Sequence, residues 1–270
     1  MGRDLEVRDG KLFFYRPWDP IDMFVKEYAT QQKHDLSISG GGDKTTYHLG
    51  LGYLNQGGFL KVNPDKFDRY NVSLSVNSTV NNWLDLRSKA VLSQSTMTYP
   101  FQFSGVSLGP WAYLTRWPAI YPYGTLDGKP FRSAITETQQ AKMDNEKSTF
   151  ARIQLGGTFT VTKDLTVDAD YTYSSTNSHL HSIGGGTSGI DFWGGALTYK
   201  DNYQATSFDR VRYTSSWNNM HTGRAFATYK KKLAGHSAQA IVGTDVDLFQ
   251  YWSQFSERST MMDPNLGEPS

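Results

Sequence analysis

The stretch Tyr70-Asn71-Val72-Ser73-Leu74-Ser75-Val76-Asn77 carries an apolar side chain at every even position and a polar one at every odd position. Successive side chains of an extended strand point to opposite faces, so this stretch predicts a strand with one apolar and one wet face. The same alternation recurs outward along the chain. Leu165, Val167, Ala169, Tyr171 and Tyr173 interleave with Thr166, Asp168, Asp170, Thr172 and Ser174. Comparable runs predict about eight strands, near 32–41, 45–56, 68–80, 83–95, 149–161, 165–177, 218–232 and 237–254. Most are about ten or more residues long, beyond the usual soluble strand and enough for a tilted membrane crossing.

The connections sort by length. Short polar turns (Gly42-Asp43, Asn81-Asn82, Thr162-Lys163-Asp164, Ala234-Gly235-His236) alternate with long connections near 57–67, 97–147 and 178–215. Outer-membrane barrels have short turns at one end and long loops at the other, whereas a soluble sandwich has no reason to segregate them. The fold class expected is therefore all-β, an antiparallel transmembrane β-barrel segment.

The pleat then assigns faces. Leu84, Leu86, Ala90 and Leu92 go outward, leaving Asp85, Arg87 and Lys89 on the lumen side. Ala151, Ile153, Leu155 and Phe159 oppose Arg152 and Gln154, and Ala238, Ala240, Val242, Val246 and Leu248 oppose Asp245 and Asp247. With Asp168, Asp170 and Arg224, these charges keep to one parity, as an aqueous face requires. A lipid-facing charge near the midplane costs about 2–4 kcal/mol. The run 218–232 fits less well, because Phe226 falls on the Arg224 side.

Composition agrees. The 270 residues include 16 Tyr, 15 Phe, 7 Trp and 25 Gly, yet hydrophobic residues reach only 38%. Few aliphatics with many aromatics suit a polar lumen flanked by aromatic girdles. Tyr47, Tyr53, Trp83, Tyr171, Tyr173, Tyr229, Tyr251 and Trp252 are the girdle candidates. A net charge of +1 gives no sign of nucleic-acid binding, and the absence of cysteine excludes disulfides, cysteine zinc sites and a thiol nucleophile. The first residues lack the apolar segment of a signal peptide, so a mature chain numbered afresh or an internal fragment is expected.

The residues Trp18-Asp19-Pro20-Ile21-Asp22-Met23-Phe24, then His34 to Gly41 and Lys44 to Gly58, resemble the SusC/RagA family of TonB-dependent outer-membrane transporters. Phe67-Asp68-Arg69-Tyr70-Asn71-Val72 and Trp83-Leu84 continue the likeness, and Trp117-Pro118-Ala119-Ile120-Tyr121-Pro122-Tyr123-Gly124 resembles an extracellular segment of the same family. The resemblance is specific over residues 18–92 and partial over 110–130. It implies a barrel of roughly 22 strands around a plug, of which this chain would supply the second to about the ninth. Residues 1–31 would form an extracellular loop with a short helix at Ile21–Tyr28, residues 32–254 the wall, and 255–270 the start of a further loop.

The resemblance also implies a function for the parent protein in the bacterial outer membrane. It would import large nutrients, oligosaccharides above all and sometimes peptides, with a SusD-like lipoprotein outside and TonB inside. The 97–147 connection is rich in aromatics, and Trp111, Tyr113, Trp117, Tyr121 and Tyr123 are the candidates for stacking on cargo. Aromatics that merely hold a long loop together would look the same. The lumen charges could pair with the plug or, more simply, with one another across strands.

No cofactor or metal is expected. His179-Leu180-His181 offers two imidazoles without a third ligand, and a polar loop explains them. Gly184-Gly185-Gly186-Thr187-Ser188-Gly189 lacks the Gly-Lys-Ser/Thr ending of a phosphate loop and reads as a flexible loop. Asp168/Asp170 and Asp245/Asp247 are explained by strand alternation, and no catalytic constellation is found. Two other readings remain: a soluble or surface-attached carbohydrate-binding β protein, and an eight-stranded barrel closed on itself.

Overall fold

A computed structural model describes residues 4–16, 18–101, 121–192, 196–203 and 210–259. In chain order the strands are β1 (Leu5–Arg8), β2 (Lys11–Phe14), β3 (Gln31–Gly41), β4 (Thr45–Gly57), β5 (Lys66–Asn81), β6 (Leu84–Pro100), β7 (Thr125–Leu126) and β8 (Lys129–Pro130). They continue with β9 (Met143–Thr162), β10 (Leu165–Ile183), β11 (Thr187–Asp191), β12 (Thr198–Tyr203), β13 (Arg210–Leu233) and β14 (His236–Ser259). Two short helices, α1 (Pro20–Phe24) and α2 (Ala134–Gln140), complete the described residues.

Eight of these strands form one antiparallel meander, in the order β3-β4-β5-β6-β9-β10-β13-β14. The remaining six pair as three small hairpins, β1-β2 ahead of the sheet and β7-β8 and β11-β12 within the long connections. The short turns carry the chemistry such turns need. In the β13–β14 turn Ala234 and Gly235 both have positive φ (43° and 87°), the conformation whose twist matches the two strands it joins. In the β9–β10 turn the Thr162 hydroxyl accepts from the Asp164 and Leu165 amides at 3.3 and 3.1 Å.

Register places every outward aliphatic on one face. The row Leu51–Val72–Leu92–Ala151 crosses β4, β5, β6 and β9, and Phe159–Val167–Ala227–Val242 continues the same face across β9, β10, β13 and β14. These side chains are not covered: Leu86 is 44% exposed, Leu155 55% and Val242 73%. A soluble binding module would bury that face, so the carbohydrate-binding reading loses its premise. The edge strands β3 and β14 lie at opposite ends of the sheet, so these eight strands do not close into a barrel of their own.

The buried residues are instead at the long-loop end. Trp18, Phe24, Leu60 and Ala134 form a cluster against which Phe14, Met23, Phe59, Tyr121, Tyr123 and Phe192 pack. Asp19 caps α1 by accepting from the Ile21 amide at 2.7 Å. The helix stops at Phe24, short of the expected Tyr28, because Val25 turns extended and bridges to Leu60.

The strands reach further than alternation predicts. β9 begins at Met143, β10 runs to Ile183, β13 starts at Arg210 and β14 ends at Ser259. Beyond the apolar band neither face needs to be apolar, so no period-two pattern marks the backbone pairing that continues there. His179 and His181 therefore lie on β10 rather than in a loop, the first bonded to Ser215 Oγ at 3.0 Å and the second stacked on Tyr213. The glycine-rich segment likewise ends in a strand, since Thr187–Asp191 pairs with β12.

Candidate functional site

The inner face is built in rows. Arg87, Gly156, Asp170, Arg224 and Asp245 stand opposite one another across β6, β9, β10, β13 and β14. One row nearer the short turns stand Asp85, Thr158, Asp168, Phe226 and Gly243. One row further out stand Lys89, Gln154, Thr172, Thr222 and Asp247, followed by the row that holds Arg152. All the charges expected on the lumen side thus share one face of the sheet.

Their contacts are mostly with each other and with hydroxyls. Arg87 lies 3.6 Å from Asp168 and 3.5 Å from Asp170, and donates to Thr158 Oγ1 at 2.5 Å. Thr158 donates onward to Asp168. Asp85 accepts from Thr79 Oγ1 and Asp247 from Thr222 Oγ1, both at 2.6 Å. The Arg152 guanidinium sits over the Phe150 ring at 5.3 Å. Phe226 keeps its inward place because its strand neighbour is Gly243, where an added Cβ would come within 2.1 Å of the ring. Part of the irregularity at 218–232 is one aromatic lying over a glycine, and β13 keeps an unbroken register with both neighbours.

The long-loop end holds the second element of the site. Trp111, Tyr113 and Trp117 lie outside the described residues. Tyr121 and Tyr123 are brought together by the loop cluster. Trp18 Nε1 donates to the Tyr121 carbonyl at 2.7 Å, Tyr123 lies 5.0 Å from Trp18 and 5.7 Å from Phe14, and Tyr121 lies 6.0 Å from Phe192. Both tyrosines are half-buried, so each has a packed side and a side left to solvent.

Beneath the cluster is a polar network that alternation does not reveal. Glu137, 2% exposed, lies 3.5 Å from Arg132, and Arg132 and Lys200 both approach Asp191. Gln140 exchanges two hydrogen bonds with the Ser188 backbone, at 2.8 and 2.9 Å. Asp144 is buried at the root of β9, accepting from Ser182 Oγ at 2.9 Å and the Ile183 amide at 3.0 Å. It stands seven residues before Ala151, the first residue of the apolar band on that strand. Burial pushes its carboxyl up to about 6, against the pull of the two hydrogen bonds. Tyr99, its cross-strand neighbour, is pushed up to about 12, by burial first and by Asp144 second. The only sequence signal for this network was polar residues in a long connection, too common to single out any of them.

No family model and no curated protein matches the sequence. Solved structures do. The chain is similar to the RagAB peptide importer in the "closed-closed" state, with a TM-score of 0.67 and 20% identity over 95% of this chain and 29% of that one. The "open-open" state gives a TM-score of 0.71 and 17% identity over 94% and 28%. A further structure, of the RagAB peptide transporter, gives 0.65 and 19% over 94% and 29%. This chain therefore has the fold of a barrel wall, and it spans less than a third of the length of the chains it matches.

Proposed function

We propose that this chain is a wall segment of a TonB-dependent importer of the SusC/RagA family in a bacterial outer membrane. One observation carries the reading: the sheet keeps its charges on one face and leaves its aliphatics uncovered on the other. From Ala238 to Leu248 the outward face of β14 spans about 33 Å of strand. At a tilt of about 40° that is a height of about 25 Å, the thickness of an outer-membrane apolar band. The inner rows would line a hydrated lumen, where cross-strand pairs such as Arg87–Asp170 cost little to keep exposed.

In this reading the long-loop end is the mouth and meets the cargo first. Trp111, Tyr113, Trp117, Tyr121 and Tyr123 stack on a large nutrient, an oligosaccharide, delivered beneath a SusD-like surface lipoprotein. TonB supplies the energy through parts outside this segment. The likeness to a peptide importer favours a second cargo, an oligopeptide, for which half-buried tyrosines serve equally well. No reaction is assigned, since the neighbouring carboxylates Asp168/Asp170 and Asp245/Asp247 are accounted for by the alternation of β10 and β14.

The test is folding of the chain in detergent micelles against plain buffer, followed by circular dichroism and size exclusion. β-Structure that forms only in detergent is expected. A monodisperse β-rich monomer in buffer would overturn the membrane reading. Binding to matched glycan and peptide panels then separates the two cargo classes.

A further inference from the structure

At the short-turn end, Lys230 and Lys232 stand opposite Gln239 and Ser237. Strand alternation puts all four on the face that carries Arg224 and Asp245, the lumen side of the wall. Lys231, between the two lysines, points the other way and takes the Asp164 carboxylate at 2.6 Å. Lys163, in the β9–β10 turn, lines a shallow cavity of about 560 Å³ together with Lys230, Lys232, Ser237 and Gln239. Lys163, Lys230 and Lys232 are all exposed.

Higher on the same face an inward cation has acids beside it, since Arg224 stands between Asp170 and Asp245. Lys230 and Lys232 have an amide and a hydroxyl there instead. Among the described residues no carboxylate lies within ion-pair distance of Lys163, Lys230 or Lys232. The next carboxylate along β10 is Asp168, four residues beyond Asp164 and so about 13 Å up the strand. That exceeds the screening length of about 10 Å at 0.1 M salt, so the inner acid rows leave this corner positive. Its two inward lysines are spaced about 7 Å apart, the distance between alternate residues of a strand. An extended polypeptide repeats one side at that same interval, so carboxylates on alternate residues fall in step with the two ammonium groups.

Resting on the membrane reading above, we propose that Lys230 and Lys232, with Lys163 beside them, bind an extended acidic polypeptide segment at the short-turn opening of the lumen. Asp164 holds Lys231 away from the site, and its carbonyl accepts from the Lys230 amide at 2.7 Å and ties the two turns together.

The full chain, folded in dodecyl maltoside, is titrated with a fluorescein-labelled octapeptide of alternating serine and glutamate, or of alternating serine and glutamine. Fluorescence anisotropy reads the binding. The glutamate peptide is expected to bind about ten-fold tighter, by a margin that shrinks as salt rises. Lys230→Gln/Lys232→Gln is expected to weaken it about five-fold. Asp164→Asn, which removes the corner's own carboxylate, is expected to tighten it about two-fold. The exposed pair at the long-loop end, Lys11→Gln/Lys147→Gln, is expected to leave it unchanged. Equal binding of the two peptides, equal loss in both double variants, or weaker binding to Asp164→Asn would overturn the proposal. So would inorganic phosphate displacing the peptide at equal concentration, which would make the corner a free-anion site. A chain with no strand content in detergent would overturn the membrane reading and this inference with it. A folded chain that binds both peptides alike overturns this inference alone.

Discussion

The Arg87 guanidinium lies 3.5 Å from Asp170 although a whole strand separates their backbones, because the residue between them is Gly156. A Cβ on Gly156 would sit 1.9 Å from Asp170 Oδ1. Gly156→Ala is therefore expected to cost about 1–3 kcal/mol by forcing the pair apart. Arg87→Met is expected to cost under about 1 kcal/mol, since the pair is partly exposed. Urea unfolding in detergent, followed by tryptophan fluorescence, compares the two. Equal costs would mean that Gly156 is not what admits the contact.

Phe226 and Gly243 make a matched pair of the same kind. Gly243→Ala should destabilise by about 1–3 kcal/mol, and adding Phe226→Ala should return part of that loss. A double-mutant cycle measures the coupling, and additive costs would show that the ring does not occupy the space over Gly243.

The two faces predict opposite responses to charge. Leu86→Arg, on the outward face, should cost about 2–4 kcal/mol of folding free energy in lipid. Thr172→Arg, inward and one row from Asp170, should cost far less. Folding titrations into vesicles provide the measurement, and equal penalties would remove the distinction between the faces.

The alternation made the outward and inward faces legible because a one-residue error would exchange them entirely. Val72, Leu86 and Ile153 could not be misplaced without moving Arg87 and Asp170 as well. The same signal failed at Met143–Ser148 and Ser178–Ile183, where serine hydroxyls and Asp144 link the strands and neither face needs to be apolar. The partners of Tyr121 were out of reach for another reason. Its contact with Trp18 joins positions 103 residues apart, and local spacing carries no record of that. Phe226 departs from the pattern where its cross-strand neighbour is a glycine, which alternation within one strand does not record.

Asp144 gives a pH dependence with a definite sign. Its carboxyl is raised to about 6 from the ordinary 3.8, so between those values the folded chain holds a proton that the unfolded chain has lost. Stability at the root of β9 and β10 should fall as pH rises from about 4 to above 6. Hydrogen exchange of the Ile183 amide, which Asp144 accepts, should quicken over that window beyond the intrinsic rate. Asp144→Asn should flatten the response, and an unchanged profile in that variant would assign the titration elsewhere.

The cluster around Trp18 joins residues from four separate connections: the segment before β3, the β4–β5 loop through Phe59 and Leu60, the β6–β9 loop through Tyr121 to Ile135, and the β10–β13 loop through Phe192. Loops that share one core cannot bend one at a time. Pressure on Tyr123 is passed to Trp18 and through Ala134 to α2, so the described parts of these loops are coupled through one core. A displacement of any one of these described segments therefore has to displace the residues it packs against in the other three.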